Sequence, residues 1–192
     1  MARRQADGSD DPLGLLALML FCEAREPARR SAQGAYVPLD AQDTNGWHRP
    51  YLREAEAALR HAASRGQPGP YQLEAAIQSA HTQRRLGATV PPEALVALYD
   101  GLLARRPSLG AAVSRCCALA QAHGADTALA ALMALDGPAA AGYQPWWAVR
   151  ADLLARTGRH DEARAAYAQA VGLSSHPPVR DYLLQQAAAL PG

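Results

Sequence analysis

Between Pro12 and Leu190 the apolar residues return every three or four positions, and each run is cut by proline or glycine before it grows long. That period puts apolar side chains on one stripe of an α-helix. The breaks fall at Pro68-Gly69-Pro70, Pro91-Pro92, Gly137-Pro138 and Pro177-Pro178, where the chain turns or a new helix begins. A chain punctuated in this way buries its stripes only by laying short helices side by side. Composition points the same way. Hydrophobic residues make up 49% of the 192, aromatics only 6% with a single Phe, and Ile77 is the sole Ile. The core must therefore be made largely of Ala and Leu, strong helix formers, while the β-branched residues that fill sheets are scarce.

Residues 1–11 are polar and aperiodic and read as a disordered tail or linker remnant. Residues 12–192 read as a single α-helical domain, with 12–107 as one half and 108–192 as a second half of hairpins and a capping helix. Asp11 is placed to cap and Pro12 to occupy a first helical turn. The run that follows is apolar nearly all round, as suits a helix packed between neighbours, and it ends near Glu26 and Pro27. Residues 27–46 carry Gly34, Pro38, Asn45 and Gly46 and form an ordered loop with a brief Tyr36-Val37 run. Trp47, Tyr51, Ala55, Ala58, Leu59 and Ala62 predict an amphipathic helix ending near Gly66. Leu73, Ala76, Ile77 and Ala80 line the next helix, and Leu95, Leu98, Tyr99, Leu102 and Leu103 the one after.

In the second half, Val113, Cys116, Cys117 and Ala120 form one stripe, Gly124 breaks it, and Ala128, Leu129, Leu132 and Met133 form another. From Pro145 to Leu173 the residues Trp147, Leu154, Gly158, Ala163, Tyr167 and Ala170 follow the tetratricopeptide (TPR) order of large residue, large residue, turn glycine, alanine, aromatic and alanine. Ala163 and Ala170 let two helices approach while Trp147 and Tyr167 fill the groove beside them. Arg150 and Ala151 stand where the repeat has Leu and Gly, which rotates the stripe slightly. Val179, Tyr182, Leu183, Ala187 and Leu190 mark a final capping helix. The expected fold class is all-α, stacked helical hairpins forming a TPR-like right-handed α-solenoid.

Charge excludes several functions. The 19 basic residues are all Arg, the acidic residues number 18, and the net charge is +1 with the signs interspersed. No basic face marks direct nucleic-acid binding. Without Lys there is no Schiff-base chemistry and no phosphate-loop lysine. Cys22, Cys116 and Cys117 form an odd set with two adjacent, which is not a disulfide framework and fits a reducing cytoplasm. The apolar run at 13–22 is about half the ~20 residues needed to cross a bilayer, so no membrane partner is expected.

LGLLALMLFCEAREPAR at 13–29, QDTNGWHR at 42–49, RGQPGPYQLEAAIQSAH at 65–81, ALYDGLLARRPS at 97–108 and YQPWWAVRADLLARTGRHDEARAAYAQAV at 143–171 together carry a resemblance. In that order and spacing they resemble the C-terminal TPR-like extension of extracytoplasmic-function (ECF) RNA polymerase sigma factors. RGQPGPYQLEAAIQ is its most specific piece. The resemblance implies a protein-interaction or regulatory module acting in transcription initiation without touching DNA. Its implied partners are sigma regions 2 and 4 of the same or another chain, RNA polymerase core, or a regulatory protein. Sigma regions 2 and 4 themselves are absent from these residues. Thr44 stands where the family usually has Arg, and Ser114, Arg115 and Cys116 where it has Asn-Arg-Ala.

Several residues invite a partner- or ligand-binding role and also have a plain structural reading. Gln42 and Asp43 precede an anchoring Trp47 in the long loop, and they either hold a partner or bond the backbone and pin the loop. Tyr71 and Gln72 are presented by the Pro-Gly-Pro turn, which turn geometry alone would also require. Trp146 and Trp147 cannot share one helix face with equal burial, so one is open to a peptide or packs against the final helix. Cys116, Cys117 and His123 are structural rather than metal ligands, since adjacent cysteines on a helix diverge by about 100°. His160, Asp161 and Glu162 sit at a helix start, where acidic groups stabilise the N-terminus. No nucleophile, base and orienter share a recognisable spacing, so no enzyme and no cofactor are expected. The alternative to the interaction module is a free-standing helical domain that senses a small ligand in a pocket lined by Trp47, Tyr71 and Trp147.

Overall fold

A computed structural model describes residues 11–66 and 68–191. The expected tail at residues 1–11 lies outside the described residues except for Asp11. Among the described residues there are ten α-helices and no strand, with one isolated antiparallel bridge between Arg30 and Tyr36. The helices pack in neighbouring pairs, and the chain divides into two compact units. The first comprises residues up to Arg29, Val37–Val90 and Leu98–Arg106. The second comprises Arg30–Tyr36, Pro91–Ala97 and the chain from Pro107 onward.

In the first unit α1 (Pro12–Ala24) packs against both α2 (Arg49–Ala63) and α3 (Pro70–Arg85). Its near-continuous apolarity serves that double contact. Gly14, Ala17, Phe21 and Ala24 are buried on α1, and Leu52, Ala55, Ala58 and Ala62 on α2, both at helical spacing. Phe21 and Trp47 are the large members of this core, and the rest is mostly alanine. Two sequence expectations shift, one by a single position and one by two. Tyr51 is 41% exposed and stacks on His48, while Leu52 takes the buried place. Trp47 precedes the helix rather than belonging to it, held by a bond from the His48 N–H to the Ala24 carbonyl. The expected helix after Pro91-Pro92 is α4 (Pro92–Arg105); its last turns belong to the first unit and its first turns to the second.

The start of the first unit is fixed by one carboxylate. Asp11 Oδ1 accepts from the Gly14 N–H at 2.8 Å, capping α1, and its Oδ2 accepts from the Gln72 N–H at 2.8 Å in the first turn of α3. Each helix begins with amides that lack an internal partner, and the same side chain satisfies one at each. The arrangement leaves no room beside it. A Cβ at Gly69 would lie 2.7 Å from the carboxylate, and one at Gly14 would run into it. This accounts for glycine in the turn before Tyr71 at a position where φ alone is ordinary.

The second unit holds two hairpins. One pairs α5 (Leu109–His123) with α6 (Ala125–Met133). A short α7 (Pro138–Ala141), not foreseen from the sequence, then leads to the second hairpin, α8 (Gln144–Arg156) and α9 (His160–Leu173), followed by α10 (Pro177–Ala188) packed on α9. The α8–α9 turn closes as the TPR spacing requires. Gly158 takes φ 77°, a left-handed value suited to glycine, and the Arg159 N–H reaches back to the Leu154 carbonyl at 2.9 Å. Ala151, Leu154, Ala163, Tyr167 and Ala170 are buried between the helices. The Arg30–Tyr36 bridge belongs to this unit, and Tyr36 meets Tyr182 of α10 edge-on at 5.3 Å.

Removing the shared cap should cost about 2 kcal/mol, the sum of two caps at about 1 kcal/mol each. We expect Asp11→Ala to lower the urea midpoint accordingly and Asp11→Asn, which keeps one acceptor oxygen, to lose roughly half as much. Equal stability of Asp11→Ala and the parent chain would contradict the double cap.

Candidate functional site

The loop before α2 is held by its own polar side chains. Gln42 is buried, its Nε2 donates to the Val37 carbonyl at 3.3 Å, and its backbone carbonyl accepts from Arg85 Nη2 of α3 at 2.9 Å. Asp43 Oδ1 accepts from the Asn45 N–H at 2.9 Å and caps a one-turn 3-10 helix, Thr44–Gly46. Trp47 closes the loop and is only 3% exposed. These bonds tie the loop to backbone and core, leaving Asp43 as the one member of the trio that is solvent-exposed.

Tyr71 and Gln72 occupy the first turn of α3, with Tyr71 half-buried and Gln72 buried. The Arg106 guanidinium lies 5.4 Å from the centre of the Tyr71 ring and 3.8 Å from Glu74. The Tyr71 face that a ligand would use is thus met by a cation of the same unit. Trp47 and Tyr71 belong to the first unit and Trp147 to the second.

Of the tryptophan pair, Trp146 is the buried one, at 1% exposure. Its indole N–H donates to the Leu132 carbonyl of α6 at 3.2 Å. The TPR frame puts Trp147 in the groove, but Trp147 is only half-buried, and its indole N–H donates to the Ala141 carbonyl at 3.0 Å. Both indole N–H groups find a backbone acceptor, so the two differ in what they face: the Trp146 ring lies against α6. The rings meet edge-on at 4.9 Å, and Arg150 lies over both at 5.5 and 5.3 Å. The result is a cation-capped aromatic step on α8.

The remaining polar candidates have local partners. Arg159 grips Glu162 through two bonds of 2.7 and 2.6 Å, and Arg164 pairs with Asp161 at 2.7 Å, all on the surface. The Arg159 bond holds the Glu162 carboxyl below its ordinary range. Cys116 is buried, and desolvation raises its thiol. Cys117 shows an exposed edge, yet the helix wall around it, with Asp152 and Cys116 adding to the effect, pushes its thiol up to about 11. Among the described residues no group of three or more His, Cys, Asp or Glu side chains is placed to hold a metal ion. No described helix is long and apolar enough to cross a membrane.

Two features escaped the sequence reading. On α1 the side chains of Leu15, Leu16 and Met19 are 38%, 41% and 57% exposed and lie on one face. An all-round apolar helix does not reveal which side its neighbours leave open. The second is a set of buried polar atoms with no partner among the described residues, including Gln42 Oε1, Thr82 Oγ1 and Arg85 Nε. Of these three residues only Gln42 stood out in the sequence; Trp47 Nε1 belongs to the same set.

A family model described as a family of unknown function (DUF6596) matches residues 1–63. An uncharacterised protein of Rhizobium meliloti (strain 1021) is 34% identical over 174 residues, which is 91% of this chain and 41% of that protein. The chain thus spans about two-fifths of the length of this curated relative. No solved structure matches it.

Trp146→Ala should cost about 3–5 kcal/mol, as expected for emptying a buried aromatic site, whereas Trp147→Ala should cost markedly less, both read from urea midpoints. A Cys117 thiol near 11 rather than the ordinary 9.0 should carry about 100-fold less thiolate at mildly alkaline pH. Its alkylation in the folded chain should be slowed roughly tenfold relative to a free thiol, since the more basic thiolate is also the stronger nucleophile, as followed by peptide mass spectrometry.

Proposed function

We propose that the chain is a protein-interaction and regulatory module of an ECF-type RNA polymerase sigma factor, acting in transcription initiation or its regulation without binding DNA itself. The observation that carries this reading is the open apolar face of α1. Leu15, Leu16 and Met19 stay exposed on a helix whose other sides are buried against α2 and α3. Apolar side chains grouped on one exposed face suit a partner surface better than solvent.

Two further points support it. The motifs that resemble the sigma-factor extension run along nearly the whole chain from residue 13. The Rhizobium relative aligns over 91% of this chain while being more than twice as long, as suits a module that works beside other segments. In this role the chain is non-catalytic and cytoplasmic. Its partners are sigma regions 2 and 4, in the same or another chain, with polymerase core or a regulatory protein as the further contact.

The test is a binding assay between this chain and sigma regions 2 and 4, with and without core polymerase. A Leu15→Ser, Leu16→Ser, Met19→Ser variant should bind at least about tenfold more weakly, the effect of losing a central apolar anchor. Its thermal midpoint should stay near that of the parent chain. Failure of the parent chain to bind either sigma region or core polymerase would remove the proposal.

A further inference from the structure

The second half of α3 carries a polar face where an Ala-Leu helix would be expected to carry an apolar one. Gln78, His81, Thr82 and Arg85 recur at three- and four-residue spacing and so share one side of the helix. The loop at 37–43 lies against that side, pinned by the 2.9 Å bond from Arg85 to the Gln42 carbonyl. The end of α1 meets it as well, since Arg25 donates to Gln78.

Three polar atoms there have no protein partner among the described residues. They are Thr82 Oγ1 on a residue 1% exposed, Gln42 Oε1 on a residue 5% exposed, and the buried Nε of Arg85. Buried hydroxyls, amides and guanidinium N–H groups are nearly always bonded, because a buried group that makes no bond loses its hydration without replacement. The local charge is positive. Arg25 is 7% exposed, and its bonding oxygens, on Phe21 and Gln78, are neutral. Arg85 likewise bonds a neutral carbonyl. His81 is held below its ordinary pKa, first by burial and then by repulsion from Arg25 and Arg84, with Asp40 opposing.

We propose that Gln42, Thr82 and Arg85, beside the buried Arg25, form a binding site for a small oxyanion that also carries an O–H group, such as a hydrogen phosphate or a hydroxycarboxylate. The Arg85 Nε–H and the Thr82 hydroxyl donate to the anionic oxygens, and Gln42 Oε1 accepts from the ligand O–H. Arg85 is only half-buried, so the site is reached along its guanidinium. The inference stands apart from the sigma-factor reading and from the apolar face of α1.

The experiment is a thermal-shift titration of the full chain with inorganic phosphate and, separately, lactate, each against chloride at the same ionic strength. A ligand that binds only the folded state raises the melting temperature in a saturable way. The expected result is such a rise with phosphate, lactate or both, none with chloride, and an apparent affinity about tenfold weaker in Thr82→Val, the loss of one bond to a charged group. Arg85→Met should abolish the response; should that variant not fold, Thr82→Val decides alone. The phosphate and lactate arms separate the two sources of the oxyanion. A rise that chloride matches, a rise that Thr82→Val leaves unchanged (an adventitious ion only), or no rise at all overturns the proposal.

Discussion

Close approach of helices across alanine is the constraint on which both units rest. Ala17, Ala24, Ala55 and Ala75 in the first unit and Ala128, Ala151, Ala163 and Ala170 in the second are all fully buried. An alanine contributes little apolar area, so the gain lies in density, with each methyl group opening room for a facing backbone to come near. Such a core has few places for a large side chain. Phe21, Trp146 and Trp47 are among those that occupy them, Trp146 in the first turn of α8 and Trp47 just before α2. Enlarging one of the fully buried alanines would push helices apart, at about 1–3 kcal/mol per site.

The same tightness explains the polar chemistry. When a helix is drawn close to a loop and to two neighbours at once, its polar residues are carried inside with the rest. Thr82, Gln42 and Arg25 end up buried, and the short contacts leave little freedom to turn those groups toward water. The surface polar groups behave differently. Arg159 with Glu162 and Arg164 with Asp161 form pairs one turn apart at a helix start, exposed to solvent and therefore weak.

Helix existence was readable from the sequence because it depends on local spacing and local breaks. The runs ending at Gly66, Gly124 and Gly158 become helices close to where the period predicts. The choice of buried face was less readable where two adjacent apolar residues compete. Tyr51 against Leu52 and Trp147 against Trp146 are decided by what stands opposite, helix α6 in the second case, and that is set by chain outside the helix that carries them. The loop residues Gln42, Asp43 and Trp47 were visible as unusual, but not their bonds to Val37, Arg85 and Asn45. Thr82 and Arg85 were invisible as a pair with Gln42 because their meeting depends on where a loop folds back onto α3.

Asp11 can serve α1 through Gly14 and α3 through Gln72 only when both helices are formed and side by side. Its two oxygens therefore act as a coincidence latch across 61 residues of chain. Fraying of either helix start releases the carboxylate from the shared geometry and weakens its hold on the other. The openings of these two distant turns are thereby joined into one cooperative event, and their amides should exchange with solvent in step.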